Sequence, residues 1–121
     1  KAYIENWRVY ENCFVVTHGS SGGRSPGQRE ARKFGLSGTS GHIHRPSYCT
    51  ATTLANPYAD WTVTGMMAHE SAGDEYIHDP NTWTKGFAVV HLFPKKKLAI
   101  PTPVIIKDGC AEFAGKIYVA E

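Results

Sequence analysis

Cys13 to Val16 form an uninterrupted apolar run with two adjacent valines, and the run stops at Thr17-His18-Gly19. Apolar residues without polar alternation mark a strand covered on both faces, as in the sheet of an α/β fold. A Gly/Ser-rich loop follows from Ser20 to Gly23, and then a helix start. Ser25 suits the N-cap, Pro26 the first helical position, and Gln28 stands three residues after Ser25 to complete a capping box. Gly35 suits a left-handed C-terminal turn. The pattern predicts a helix from Pro26 to Phe34, with Ala31 and Phe34 as packing residues and Arg29, Arg32 and Lys33 on a solvated face. Leu36 to Ser40 is the expected return strand, which makes one right-handed β-α-β crossover.

From Ser47 onward the pattern changes. Tyr48 to Thr53, Trp61 to Met67, Phe87 to Phe93 and Leu98 to Ile106 are rich in β-branched and aromatic residues, with Pro94-Lys95-Lys96-Lys97 as a hairpin connection between the last two. A mainly antiparallel sheet is therefore expected after the crossover. Ala68 to Thr82 reads as a long polar loop, and Lys1 to Tyr10 as an amphipathic edge segment. The 121 residues, 41% of them hydrophobic, suffice for a single unit with a modest core. Because the sequence begins with Lys1 rather than Met, an upstream segment is expected to have been removed or to lie outside it.

Loops at the carboxyl ends of parallel strands collect ligands. His18 follows the first such strand, and Gly41-His42-Ile43-His44-Arg45-Pro46 follows the second. On an extended backbone His42 and His44 would point to one side and offer two imidazoles to one site or to two adjacent metals. Gly19 and Gly41 are expected to serve backbone geometry at a crowded site.

An isolated His followed by Gly, then G-H-x-H, is the order of the last two motifs of the calcineurin-like metallophosphoesterases, and the chain resembles that family at His18-Gly19 and Gly41-His42-Ile43-His44. The resemblance continues through Trp83-Thr84-Lys85-Gly86-Phe87-Ala88-Val89-Val90, similar to the W-x-x-G-F-A-V-V segment of phage-type members, to Gly115-Lys116-Ile117-Tyr118. The D-x-H, G-D-x-x-D and G-N-H-E/D motifs that open the family have no counterpart in this sequence. The resemblance thus implies the C-terminal half of an αββα phosphoesterase sandwich, completed in cis or by a separate chain.

It further implies a hydrolase of phosphomonoesters or phosphodiesters, nucleic acid among them, using two divalent ions (Mn, Fe, Zn or Ni). His18 and His42 would bind one ion and His44 the other, His42 and His44 being catalytic ligands. Arg45, directly after the motif, is suited either to contact a substrate phosphate oxygen or to pack at the surface beside Pro46. A non-catalytic structural or binding module derived from the same half-fold is the alternative. Half a sandwich should also associate, with itself or with its complement.

Other clusters carry less. Thirteen basic against 11 acidic residues argue neither for nor against nucleic acid. Lys95, Lys96 and Lys97 read as a charged hairpin tip, and His91 as a structural histidine inside an apolar strand. His69, Glu70, Asp74, Glu75, His78 and Asp79 match no metal-ligand spacing and read as a polar loop. Cys13, Cys49 and Cys110 lack C-x-x-C spacing and read as buried reduced thiols, which favours the cytoplasm. No apolar stretch is long enough for a membrane span.

Overall fold

The computed structural model describes residues 7–68 and 82–121. Among the described residues two sheets and one α-helix make a mixed α/β unit. The first sheet contains β1 (Trp7–Tyr10), β2 (Phe14–Thr17), β3 (Ser37–Ser40), β4 (Ser47–Thr50) and β5 (Asp60–Val63), in the order β1-β2-β3-β5-β4. The second contains β6 (Gly86–Phe93), β7 (Leu98–Lys107), β8 (Cys110–Phe113) and β9 (Lys116–Val119), ordered as in the chain. The helix α1 spans Pro26–Phe34, the range its start and stop residues predict.

The expected crossover is present: β2 and β3 pair in parallel, Phe14 opposite Ser37 and Thr17 opposite Ser40. β5 joins them, parallel to β3, with Gly38 opposite Trp61. The mainly antiparallel arrangement expected after Ser47 is present, and β5 is the exception to it. The antiparallel reading holds for β4 on the sheet's edge and for the whole β6–β9 sheet. Burial accounts for the exception. Asp60, Trp61, Thr62 and Val63 are all buried, because α1 covers one face of β5 and β7 lies against the other. Such two-sided cover is the environment of a parallel strand.

The core sits between α1 and the first sheet. Val15, Ala31, Trp61 and Val63 form its centre, with Phe34, Leu36, Ile43 and Cys49 packed around them. The Phe34 and Trp61 rings stack at 5.9 Å, and Trp61 Nε1–H donates to Ser40 Oγ at 2.9 Å. Gly38 makes room for this indole. A Cβ there would stand 2.6 Å from a Trp61 ring carbon and 2.7 Å from the Val15 carbonyl oxygen.

Helix capping follows the sequence only at one end. Gly35 adopts φ 66° and its N–H donates to the Ala31 carbonyl at 2.8 Å, as expected. Ser25 sits at φ 52°, ψ 52°, and its hydroxyl makes no capping bond. The capping box requires an N-cap in the β region, so the left-handed backbone at Ser25 prevents it. The outer face and rim of the second sheet remain apolar and exposed, with Ile100, Ile117, Tyr118 and Val119 each at least half exposed. Among the described residues no helix is long and apolar enough to cross a membrane.

Candidate metal centre

The three parallel strands end at one edge, and their carboxyl ends carry the histidines. His18 follows β2, Gly41 to His44 follow β3, and Thr64 follows β5. Hydrogen bonds tie these exits together: Gly41 N–H donates to the His18 carbonyl at 3.0 Å and Thr64 N–H to the Ser40 carbonyl at 2.7 Å. Gly19 has φ 86°, and a Cβ on it would come within 3.0 Å of Ser40 Cβ, so the expected geometric need for glycine holds there. It does not hold at Gly41. That residue lacks a positive φ, and an added Cβ would meet only ordinary contacts, at 3.5 Å or more.

His42 and His44 are not on an extended backbone, which corrects the alternation argument. His42 has φ 75° and Ile43 N–H donates to the Gly41 carbonyl at 3.0 Å, so His42 is the centre of a γ-turn; His44 has φ 54°. Ile43 supplies the reason. Its side chain packs against the core cluster, so the loop dips inward between the two histidines and leaves one on each side of the anchor. Left-handed backbone at non-glycine residues costs about 1 to 3 kcal/mol each and persists where the surroundings over-determine it, a pattern concentrated at functional sites.

His18 Nε2 and His42 Nδ1 face each other at 3.3 Å although 24 positions separate them in the chain. The rings meet edge to face, with centroids 5.3 Å apart, and both residues are exposed. Two nitrogens bound to one ion at about 2.1 Å each, at a tetrahedral angle, stand about 3.4 Å apart, so this pair has the spacing of two ligands of one divalent ion. His44 is half-buried and offset from the pair. Its Nδ1 is buried without a hydrogen-bond partner, its carbonyl accepts Thr84 N–H at 2.9 Å, and its ring lies perpendicular to that of Trp83, with centroids 4.1 Å apart. Burial first, then the charges of His42 and His18, push its pKa down. The neutral ring so favoured is the ligand form.

The donors therefore fit an ion as a pair with a third imidazole beside it. Among the described residues no three His, Cys, Asp or Glu side chains make a group able to hold one ion between them. Arg45 is exposed directly after His44. The predicted ligand residues thus lie at one edge of the molecule.

The remaining candidates fall elsewhere. The acidic and histidine cluster from His69 to Asp79 lies outside the described residues. His91 is exposed, not enclosed in a core, and stacks on Phe113 at 6.1 Å, because its strand belongs to the second sheet, which is covered less than the first. The three cysteines are free thiols, but Cys13 and Cys49 are only half-buried and Cys110 is exposed. The expectation of buried thiols fails because two of them lie on thinly covered strands, β4 and β8, and the third in the β1–β2 turn. Arg29 is engaged locally, donating to the Gly22 carbonyl at 3.2 Å.

Two residues at the site were not singled out as functional from sequence. Glu30 is 1% exposed, and its Oε1 accepts Ser20 N–H and Ser21 N–H at 2.8 Å each and the Ser20 hydroxyl at 3.4 Å. It pins the loop that follows His18. Burial pushes its pKa up, but the bonds from Ser20 and Ser21 outweigh this and the net direction is down. A signal was present: Pro26, Gly27, Glu30, Ala31 and Phe34 share one helical stripe, and a glutamate on that stripe must be buried. The second is Trp83, whose contact with His44 has no local sequence signature.

No protein-family model matches the chain, and no curated protein or solved structure matches it either.

Proposed function

We propose that this chain is the C-terminal half of an αββα metal-dependent phosphoesterase, hydrolysing phosphomonoesters or phosphodiesters, nucleic acid among them, once its N-terminal half is supplied in cis or by another polypeptide. One observation carries the reading: two histidines from separate strand exits, His42 on left-handed backbone, meet nitrogen to nitrogen at 3.3 Å, with a third imidazole beside them. The layering supports it too. Helix, sheet and sheet are stacked in that order, and the exposed apolar outer face of the second sheet is where a fourth layer or a partner would lie.

In this reading His18 and His42 hold one divalent ion and His44 a second. When bound, the ions supply Lewis-acid stabilisation of the charge that develops on the phosphoryl oxygens and lower the pKa of water to make a nucleophile at neutral pH. The chain's own residues fix the donors: the Gly41-to-His18 hydrogen bond sets the separation of the two strand exits, and Ile43 orients the turn between His42 and His44. The Arg45 guanidinium contributes paired charge-assisted hydrogen bonds to a phosphate oxygen.

The competing reading is a non-catalytic binding or structural module. It is favoured by a specific feature of the same pair, since one proton shared between His18 Nε2 and His42 Nδ1 satisfies a 3.3 Å contact with no ion present. Titration of Mn²⁺ or Zn²⁺ into the chain separates the two. The phosphoesterase reading expects weak binding that His42→Ala abolishes, no useful hydrolysis of an aryl phosphodiester by the chain alone, and hydrolysis when a half carrying D-x-H, G-D-x-x-D and G-N-H motifs is added. Equal ion binding by wild type and the His18→Ala, His42→Ala and His44→Ala variants would leave the module.

A further inference from the structure

The segment Trp83 to Gly86, which leads into β6, is wedged between the exit of β5 and the His44 turn. Thr84 N–H donates to the His44 carbonyl at 2.9 Å on one side; on the other, Met66 N–H donates to the Thr84 carbonyl at 3.0 Å and Gly86 N–H to the Met66 carbonyl at 3.1 Å. The crossing is tight enough to require glycine twice. A Cβ on Gly65 would collide with the Thr84 carbonyl and stand 2.9 Å from Pro46 Cγ, and one on Gly86 would stand 2.8 Å from the Val104 carbonyl and 3.1 Å from Pro46 Cγ. Trp83 therefore projects from a backbone held on both sides. Its indole meets the His44 ring perpendicularly at 4.1 Å between centroids, closer than the roughly 4.5 to 7 Å usual for aromatic pairs.

From this geometry we infer that Trp83 is the positioning residue of His44, the side chain through which the second sheet fixes one imidazole of a site otherwise built at the edge of the first. A half-buried ring with a buried, unpaired Nδ1 has no hydrogen bond from that nitrogen to set its orientation. Outer groups that orient a ligand histidine are as a rule hydrogen-bond acceptors; here an aromatic wall confines the ring instead. The same contact gives physical content to the Trp83-x-x-Gly86 spacing: the tryptophan touches His44, and the glycine lets the strand behind it pass Pro46 and Val104. The ligand role of His44 rests on the proposed function; the positioning of its ring by Trp83 does not.

The test has two arms, on wild type, Trp83→Phe and Trp83→Ala, with backbone amide shifts of β6 and β7 confirming that the second sheet is intact. In the metal-free chain, NMR of the imidazole protons is expected to show His44 displaced by the ring current of the indole. The displacement should be largely kept in Trp83→Phe and lost in Trp83→Ala, while His18 and His42 stay unmoved. Unchanged His44 resonances in Trp83→Ala, or equal shifts at all three histidines, would overturn the inference. In the second arm Zn²⁺ alone is titrated. Trp83→Ala should weaken the His44-dependent binding about tenfold or more, Trp83→Phe should restore most of it, and adding Trp83→Ala to His44→Ala should weaken binding no further. A full additional loss in that double variant would show that Trp83 does not act through His44. Absence of Zn²⁺ binding by wild type would defeat the metal reading and leave the NMR arm to decide the role of Trp83.

Discussion

The two ends of the parallel strands each bury a carboxylate, and they treat it in opposite ways. At the carboxyl end Glu30 receives two backbone N–H groups and a hydroxyl, all on the loop that leaves His18. At the amino end Asp60, 9% exposed, accepts one bond from the Tyr48 hydroxyl at 3.1 Å and keeps its Oδ1 buried without a partner. The directions of titration follow. Burial at Glu30 is outweighed by the hydrogen bonds and its pKa falls; at Asp60 burial prevails over the hydroxyls of Ser37 and Tyr48 and raises it. The end that carries the histidines is thus braced by a satisfied charge. The other end opens on a cavity of about 410 Å³ lined by Tyr48, Tyr58, Asp60 and Lys97 among others, and holds an under-satisfied one.

What both ends share is Trp61, and removing it should erase the difference between them. Trp61→Ala deletes a fully buried indole, its stack on Phe34 and its bond to Ser40. An expected loss of about 3 to 5 kcal/mol follows from the transfer and cavity terms together. Urea unfolding measures it, and a loss below about 1 kcal/mol would mean that the core between α1 and the sheet is not the main source of stability.

Changing one carboxylate at a time separates the two ends. Glu30→Gln keeps the shape and removes the charge that two backbone donors face; a cost of about 2 kcal/mol at neutral pH is expected. Because the folded pKa of Glu30 lies below its unfolded value of about 4.3, this contribution is present above that pH and is lost as pH falls through the folded value. Asp60 has the opposite sign. Its folded pKa lies above the unfolded value of about 3.9, so its contribution is full below that pH and disappears as pH rises through the folded value. Asp60→Asn should accordingly stabilise at neutral pH, by the order of 1 kcal/mol, and lose the advantage in acid. Unfolding midpoints of the two variants, followed from acid to neutral pH, should therefore diverge from wild type in opposite directions at the neutral end. Parallel curves would show that the two carboxylates are alike after all.

Much of the carboxyl end is legible in the sequence. Local signals suffice for α1, because Pro26 and Gly35 mark its ends whatever surrounds them, and for β2, β6 and β7, whose apolar and β-branched runs stand out, whereas β3, Ser-Gly-Thr-Ser, is placed only as the return strand of the crossover. The convergence of His18 and His42 follows from placing both after parallel strands. What local reading could not supply was long-range. The parallel insertion of β5 depends on burial from two directions, and the contact of Trp83 with His44 depends on how the second sheet crosses the first. Ser25 shows the converse failure: its residue type matches a capping motif, but the loop before it arrives in a left-handed conformation. Asp60 gives no warning, since an aspartate before a tryptophan reads as a strand boundary, and only the packing of β7 buries it.

The smallest expected effect is the most specific probe of the site end, because it separates two glycines that the sequence presents alike. Gly19 and Gly41 each adjoin a histidine, yet Gly19 has φ 86° and a Cβ added to it would stand 3.0 Å from Ser40 Cβ, whereas Gly41 has neither a positive φ nor a close neighbour. Alanine at Gly19 should cost about 1 to 2 kcal/mol, from left-handed strain and from pushing the loop away from Ser40. Alanine at Gly41 should lie between neutral and about 1 kcal/mol stabilising, since it restricts the unfolded chain and strains nothing in the folded one. Thermal unfolding resolves the two, and the His18 to His42 contact, followed by imidazole NMR, should move only in Gly19→Ala. If Gly41→Ala proves the more damaging, the γ-turn at His42 depends on a backbone freedom at Gly41 that its present conformation does not use, and the turn would then have to move as part of the site's function.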